Sequence, residues 1–214
     1  LVLAASILAD AVSGRIRSVA GMLRGSYGLP PLQGKVRELY GSMPLHLIPS
    51  APEFDYGRES LPPSSHYIGP CVWPVLEPAS PFHHDGSVVV HEDTLYPAEP
   101  VMLRAAVAGL SGIPTTVVAG SGRDVQALDI GALPPDMSLE PWRPLTEVRR
   151  NPAVVVTNGN SGVTIEALSR GIPVVVVPSI QEQSEIGWRV HTSGAGLRLP
   201  ERHCNGSALR AAVQ

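Results

Sequence analysis

Four runs of mostly β-branched residues constrain this chain more than anything else in it. They are VVV at 88–90, TTVV at 115–118, AVVV at 153–156 and VVVV at 174–177. A strand with one wet face alternates apolar and polar residues, whereas a run without alternation suits a strand covered on both faces of a parallel sheet. Between and beyond these runs lie segments of helical spacing, so strand and helix alternate as in a parallel α/β sheet. The pattern predicts strands at 87–90, 115–118, 137–140, 153–156, 173–177 and 196–199. It predicts helices near 98–110, 143–150, 162–170, 182–193 and from 206 onward. Sheets of this kind take ligands at the carboxyl ends of their strands. The turns after 90, 118, 156 and 177 are therefore expected to form one cleft rim. That rim would gather Thr94, Gly120-Ser121-Gly122, the 158–162 turn and Glu182-Gln183.

The 158–162 turn is the most informative part of the rim. Asn158-Gly159-Asn160-Ser161-Gly162 offers small residues that let backbone approach a ligand closely. The helix that follows aims free N–H groups and the positive end of its dipole at the turn, a ready anion site. Glu166 places a carboxylate one turn above that site, and Glu182-Gln183 adds a polar pair after the next strand. Phosphate cradle, carboxylate and hydrogen-bonding pair together suit a nucleotide bearing a polyhydroxylated group.

These residues resemble the donor-binding signature of nucleotide-sugar-dependent glycosyltransferases of the GT-B fold, in particular bacterial enzymes that glycosylate natural products such as antibiotics. That signature runs W-x-P-Q, H-x-G-x-x-[ST], Glu, G-[VI]-P and [DE]-Q. The chain has Trp142-Arg143-Pro144-Leu145, then Asn158 to Val163, Glu166, Gly171-Ile172-Pro173 and Glu182-Gln183. Eight residues separate Asn158 from Glu166 and sixteen separate Glu166 from Glu182, as in the family. The resemblance implies that Trp142 stacks on the nucleobase and that the Arg143 backbone meets the base edge. It also implies that Glu166 holds the ribose hydroxyls, that Glu182 and Gln183 hold the donor sugar, and that the 158–162 turn and Thr94 serve the diphosphate. The implied reaction moves a sugar from a TDP- or UDP-linked donor to a small-molecule hydroxyl with inversion. The nucleotide sugar would be a co-substrate, with no cofactor and no metal required. A non-catalytic relative that stabilises a partner enzyme is the alternative, and a sugar-nucleotide epimerase is a third reading.

Several positions depart from the family pattern. Asn158 stands where an imidazole is usual, Val163 where a hydroxyl is usual and Leu145 where a Gln is usual. His91-Glu92-Asp93-Thr94 replaces S-x-G-T after the domain's first strand. An Asn amide still donates, but without positive charge. His91 reads as a strand-end residue held in the core or, less simply, as a substitute phosphate cation.

Upstream, apolar residues at 1, 8, 12, 16, 19 and 23 predict a helix over 1–25, closed by GSYGLPP. A shorter helix is expected near 32–40, with strands at 45–48 and 66–68. By the same resemblance, 1–69 is the tail of a first Rossmann-like, acceptor-binding domain. The Pro-rich stretch 70–86 is an interdomain linker, and 87–214 is the donor-binding domain with its last helix cut short. The catalytic residues stay unassigned, since the general base is expected in a preceding part of the first domain. His83-His84 beside Asp85 lacks a third ligand at useful spacing, so no metal site is expected.

Composition excludes several classes. A net charge of -3 and a pI near 6.2 argue against non-specific nucleic-acid binding. Two distant cysteines form neither a zinc motif nor a disulfide framework, which suits the cytoplasm. No run of eighteen apolar residues occurs, and LVLAASILA lacks the basic segment of a signal peptide. The expected partners are a nucleotide sugar and a small acceptor, with a homodimer or an auxiliary role left open.

Overall fold

The computed structural model describes residues 2–31, 43–56, 60–71, 84–92, 99–119, 129–148 and 151–214, with side chains of the first helix from residue 14. The predicted helix at 32–40, most of the 70–86 linker, Thr94, Gly120-Ser121-Gly122 and the end of the predicted 143–150 helix lie outside them. The chain divides into two compact units, Leu1–Ala51 with Gly57–Gly69, and Pro52–Tyr56 with Pro70–Gln214.

In the first unit, helix α1 (Val2–Ser26) is followed by parallel strands β1 (His46–Ile48) and β2 (Ser65–Tyr67). Gly28, at φ +66°, turns the chain so that the Leu29 N–H returns to the Arg24 carbonyl at 2.9 Å. The side chains of Ile16, Val19 and Leu23 on α1 are exposed.

The second unit is built on six parallel strands: β3 (Val88–His91), β4 (Thr115–Ala119), β5 (Met137–Pro141), β6 (Val154–Thr157), β7 (Val174–Val176) and β8 (Gly196–Arg198). Their order across the sheet is β5-β4-β3-β6-β7-β8. The chain therefore winds outward from β3, returns to β3's other side, and winds outward again. Alternate valines go to opposite faces. Val88, Val90, Val117, Val156 and Val175 pack with helices α2 (Val101–Gly109) and α5 (Gly206–Val213). Val89, Val118, Val155, Val174 and Val176 pack with helices α3 (Ser161–Ser169) and α4 (Gln181–Thr192). The β-branched runs are thus buried on both sides, as the sequence implied. Among the described residues no helix is long and apolar enough to cross a membrane.

One predicted element differs. The helix expected over 143–150 is only a 3-10 turn, Leu145–Glu147. Leu145 and Val148, three residues apart, both sink into the α3 face of the core. Val148 is already extended at φ -74°, ψ 111°, so the turn ends there. Helical spacing was present, but for a single turn.

Where α5 crosses α2, the backbones touch. A Cβ on Gly109 would lie 2.1 Å from the Gly206 carbonyl oxygen. Arg210 fastens the same corner, its Nη1 donating to the Gly109 carbonyl at 2.8 Å and the Ser111 carbonyl at 2.9 Å. Gly109→Ala is expected to destabilise the fold by ~1–3 kcal/mol, the usual cost of overpacking, despite Ala's better helix propensity. Urea unfolding midpoints of the two proteins check this; an unchanged or higher midpoint would contradict the close crossing.

Candidate functional site

The sheet's winding reverses between β3 and β6, the place where open α/β sheets leave a crevice beyond their carboxyl ends. His91 is in register with Thr157, and Thr157 with Val176, so β3, β6 and β7 end level with one another. The loops leaving these ends carry most of the residues singled out in the sequence.

After β6 the chain makes a tight turn. Asn158 is 3% exposed and lies beside the Thr157 hydroxyl. Gly159 has φ +96°, a conformation that favours glycine. A Cβ there would also meet the Gln183 carbonyl oxygen at 2.9 Å and Val176 Cγ1 at 3.0 Å. Its smallness therefore serves the packing of the turn against the first turn of α4. Asn160 caps α3: its Oδ1 accepts the Val163 N–H at 3.0 Å, and its carbonyl accepts the Thr164 N–H and hydroxyl. Gly162 leaves room for that cap, since a Cβ would sit 3.2 Å from Asn160 Oδ1. Ahead of this bond stand the N–H groups of Ser161 and Gly162, two of the four first N–H groups for which a helix supplies no acceptor. The anion-binding capacity of the turn thus resides in its backbone.

Glu166 rises from the same helix. Its side chain is only 14% exposed, and its Oε1 has no hydrogen-bond partner among the described residues. Arg170 Nη1, one turn further along, stands 3.8 Å away, close enough to attract but too far to donate. Burial pushes the Glu166 carboxyl above its ordinary value of 4.5, partly offset by the Arg170 charge. An orphaned carboxylate oxygen of this kind costs ~1–3 kcal/mol, and a pair of hydroxyl donors would relieve it.

The Trp142–Val148 segment crosses from β5 back toward β6 over the α3 face of the sheet. Leu145 and Val148 anchor it among Val89, Val118 and Val163. Trp142 is 39% exposed, and its indole meets the edge of the His91 ring, with centroids 6.2 Å apart and planes at 79°. The Arg143 guanidinium pairs with Glu140 at 3.3 Å. Its carbonyl receives His91 Nε2 at 2.8 Å. A carbonyl only accepts, so Nε2 carries the proton. His91 is wholly buried. It is the strand-end histidine held in the core, not a cation facing solvent.

Glu182 and Gln183 differ in setting. Glu182 is exposed. Gln183 is buried, and its Oε1 accepts from the Ser179 N–H at 2.9 Å, the Ser179 hydroxyl at 2.9 Å and the Ile180 N–H at 3.3 Å. The amide oxygen thus caps α4, leaving the amide N–H₂ as the group with donors to spare. Asp85 uses its carboxylate to hold the Ser87 N–H and hydroxyl at the start of β3. No group of three His, Cys, Asp or Glu residues that could hold a metal occurs among the described residues.

Residues 105–214, about half of the chain, match the family described as Erythromycin biosynthesis protein CIII-like, C-terminal domain. The chain belongs to this family. It is 30% identical over 207 residues to the 4'-demethylrebeccamycin synthase of Lentzea aerocolonigenes, covering 93% of this chain and 48% of that protein. It is 28% identical over 145 residues to the demethyllactenocin mycarosyltransferase of Streptomyces fradiae, covering 64% of this chain and 30% of that protein. The fold superposes on the calicheamicin glycosyltransferase CalG4 with a TM-score of 0.67 and 24% identity, covering 92% of this chain and 50% of that one. The chain thus spans half or less of the length of these proteins. The predicted resemblance to GT-B glycosyltransferases of natural-product biosynthesis is borne out, as is the parallel-sheet fold class.

Two features had no signal in the sequence. One is the His91–Arg143 bond. The other is the seating of Pro52–Tyr56 on α4, where the Tyr56 hydroxyl donates to Glu185 Oε2 at 2.5 Å and Asp55 pairs with Arg189 at 3.5 Å.

The raised Glu166 pKa fixes a pH dependence. The folded state holds this proton more tightly than the unfolded state, so the associated stability is present at low pH. It is lost as pH rises from 4.5 through the folded value. Glu166→Gln is therefore expected to gain stability relative to wild type between pH 4 and pH 8, checked by denaturant titration at both pH values. A constant difference would show that Glu166 is solvated.

Proposed function

We propose that this chain holds the donor-binding half of a glycosyltransferase that moves a sugar, with inversion, from a TDP- or UDP-linked donor to a hydroxyl of a small natural product. The observation that carries the reading is the orphaned Glu166 Oε1 on the helix whose first N–H groups open at the reversal of the sheet. A nucleoside diphosphate supplies what both lack: a vicinal diol with two donors for the carboxylate, and an anion for the backbone N–H groups. In this arrangement the base lies against Trp142 with its edge at the Arg143 peptide. The ribose reaches Glu166, the diphosphate meets the 158–162 turn, and the sugar lies toward Glu182 and the Gln183 amide N–H₂. The acceptor oxygen bonds to the anomeric carbon while that carbon's bond to the diphosphate breaks. The acceptor's proton passes to a base outside the described residues. The N-terminus of α3 stabilises charge gathering on the leaving diphosphate, a preorganised dipole needing no reorganisation during the reaction. No metal or cofactor is required in this scheme, and a cytoplasmic enzyme of natural-product biosynthesis is its setting.

Calorimetric titration with UDP and TDP tests the proposal. Saturable binding is expected, and Glu166→Ala should weaken it by ~1.5–3 kcal/mol, the range for hydrogen bonds to a charged group. Because hydroxyl donors favour the carboxylate, binding by wild type should strengthen as pH rises through the raised Glu166 pKa. It should also release more protons than binding by Glu166→Gln. Absence of binding at millimolar nucleotide would favour the auxiliary-protein alternative.

A further inference from the structure

We infer that His91 is the positioning residue for the nucleobase platform, setting the Arg143 peptide so that the site favours uracil and thymine over cytosine. The inference rests on the nucleotide-binding reading above and adds a specificity device to it. His91 closes β3 at the reversal of the sheet, on the same face as Val89. Between β3 and β5 lies β4, so the segment leaving β5 has no ladder partner in β3. The imidazole spans that gap: His91 Nε2 donates to the Arg143 carbonyl, 52 residues along the chain, at 2.8 Å. The same ring sets its edge against Trp142. Two residues further on, Leu145 is 1% exposed in the core. The Trp142-Arg143-Pro144 corner is therefore held from both ends, by a hydrogen bond at Arg143 and by burial at Leu145.

A carbonyl oxygen has two lone pairs, and His91 uses one. The peptide beyond the carbonyl ends in Pro144 and has no N–H, so the donor that accompanies the other lone pair is the N–H of Arg143 itself, and the residue offers one acceptor and one donor. Uracil and thymine present the complement, an N3–H donor next to the O4 acceptor. Cytosine presents the reverse, an unprotonated N3 next to an amino donor. A fixed peptide discriminates between these edges; a peptide free to rotate or shift discriminates less. Nothing in this requires the Arg143 side chain, which is paired with Glu140.

The test measures UDP, TDP and CDP affinities of the full 214-residue chain and three variants. His91→Phe keeps an aromatic edge for Trp142 but removes the donor. His91→Asn is polar but too short to reach the Arg143 carbonyl, and His91→Gln restores an N–H donor at about the distance of Nε2. Phe and Asn are expected to weaken UDP and TDP binding by about 5–50-fold, the effect of losing one or two base-edge hydrogen bonds once the Arg143 backbone is no longer held. CDP should change by less than about 3-fold, so the UDP-to-CDP preference collapses, and Gln should restore it. If His91→Phe does not fold, judged by its circular dichroism and thermal transition, the Asn and Gln pair carries the comparison. Equal losses for all three nucleotides, or a preference unchanged in Asn or Phe, would make His91 a structural residue only and overturn the inference alone. Failure of wild type to bind UDP or TDP at all would overturn the nucleotide reading and this inference together.

Discussion

The pairing of β3 with β6 is the contact on which the rest of the six-stranded unit depends. It is where the chain, having wound outward through β4 and β5, comes back to its starting strand. Apolar except at their last residues, Val88–His91 and Val154–Thr157 are held by the ladder and by burial on both faces. That pairing brings the end of β3 beside the turn that opens α3. A one-residue slip would exchange the faces of every valine in the strand, because side chains alternate with period two. The two core clusters, one under α2 and α5 and one under α3 and α4, enforce the register from opposite sides.

Given this frame, the turn after β6 has little freedom. Gly159 sits against Gln183, Asn160 is occupied in capping α3, and Gln183 Oε1 is occupied in capping α4. Residues that read in the sequence as ligand contacts are first of all the fasteners of two helix N-termini. The two roles are compatible, because fastening leaves the N–H groups of Ser161 and Gly162 and the Gln183 amide N–H₂ at the cleft. A rigid turn also presents backbone donors at no cost in ordering when an anion arrives. Among the described residues, Glu166 Oε1 is one of the buried polar atoms left without a hydrogen-bond partner, and it lies on the helix that this turn opens.

The sheet was legible because its information is local. VVV, TTVV, AVVV and VVVV declare doubly buried strands without reference to anything distant. The 3-10 turn at 145–147 was misread as a longer helix because Leu145 and Val148 fit one helical turn, and periodicity over so few residues does not fix length. The His91–Arg143 bond was illegible for a different reason. Its partners are 52 residues apart and the acceptor is a backbone carbonyl, which carries no sequence signature. The Tyr56–Glu185 contact joins residues 129 apart and was hidden in a stretch that reads as loop.

The departures at Leu145 and Val163 look like two losses when aligned to the family pattern, since each stands where that pattern has a polar residue. In the fold they are one change. Both side chains are buried in the same cluster, with Val148 and Val118 beside them, beneath the Trp142-Arg143-Pro144 corner. Burial of each contributes about 1.5–3 kcal/mol toward holding that segment down. A Gln at 145 with Val163 kept would set an amide among valines, costing about 1–3 kcal/mol unless it found a partner. A hydroxyl at 163 would face the same apolar neighbours. Each apolar residue thus makes the other tolerable, and together with His91 above they fix the corner from within the protein. The shape of the corner is therefore set by packing within the protein, at the positions where the family pattern carries polar side chains.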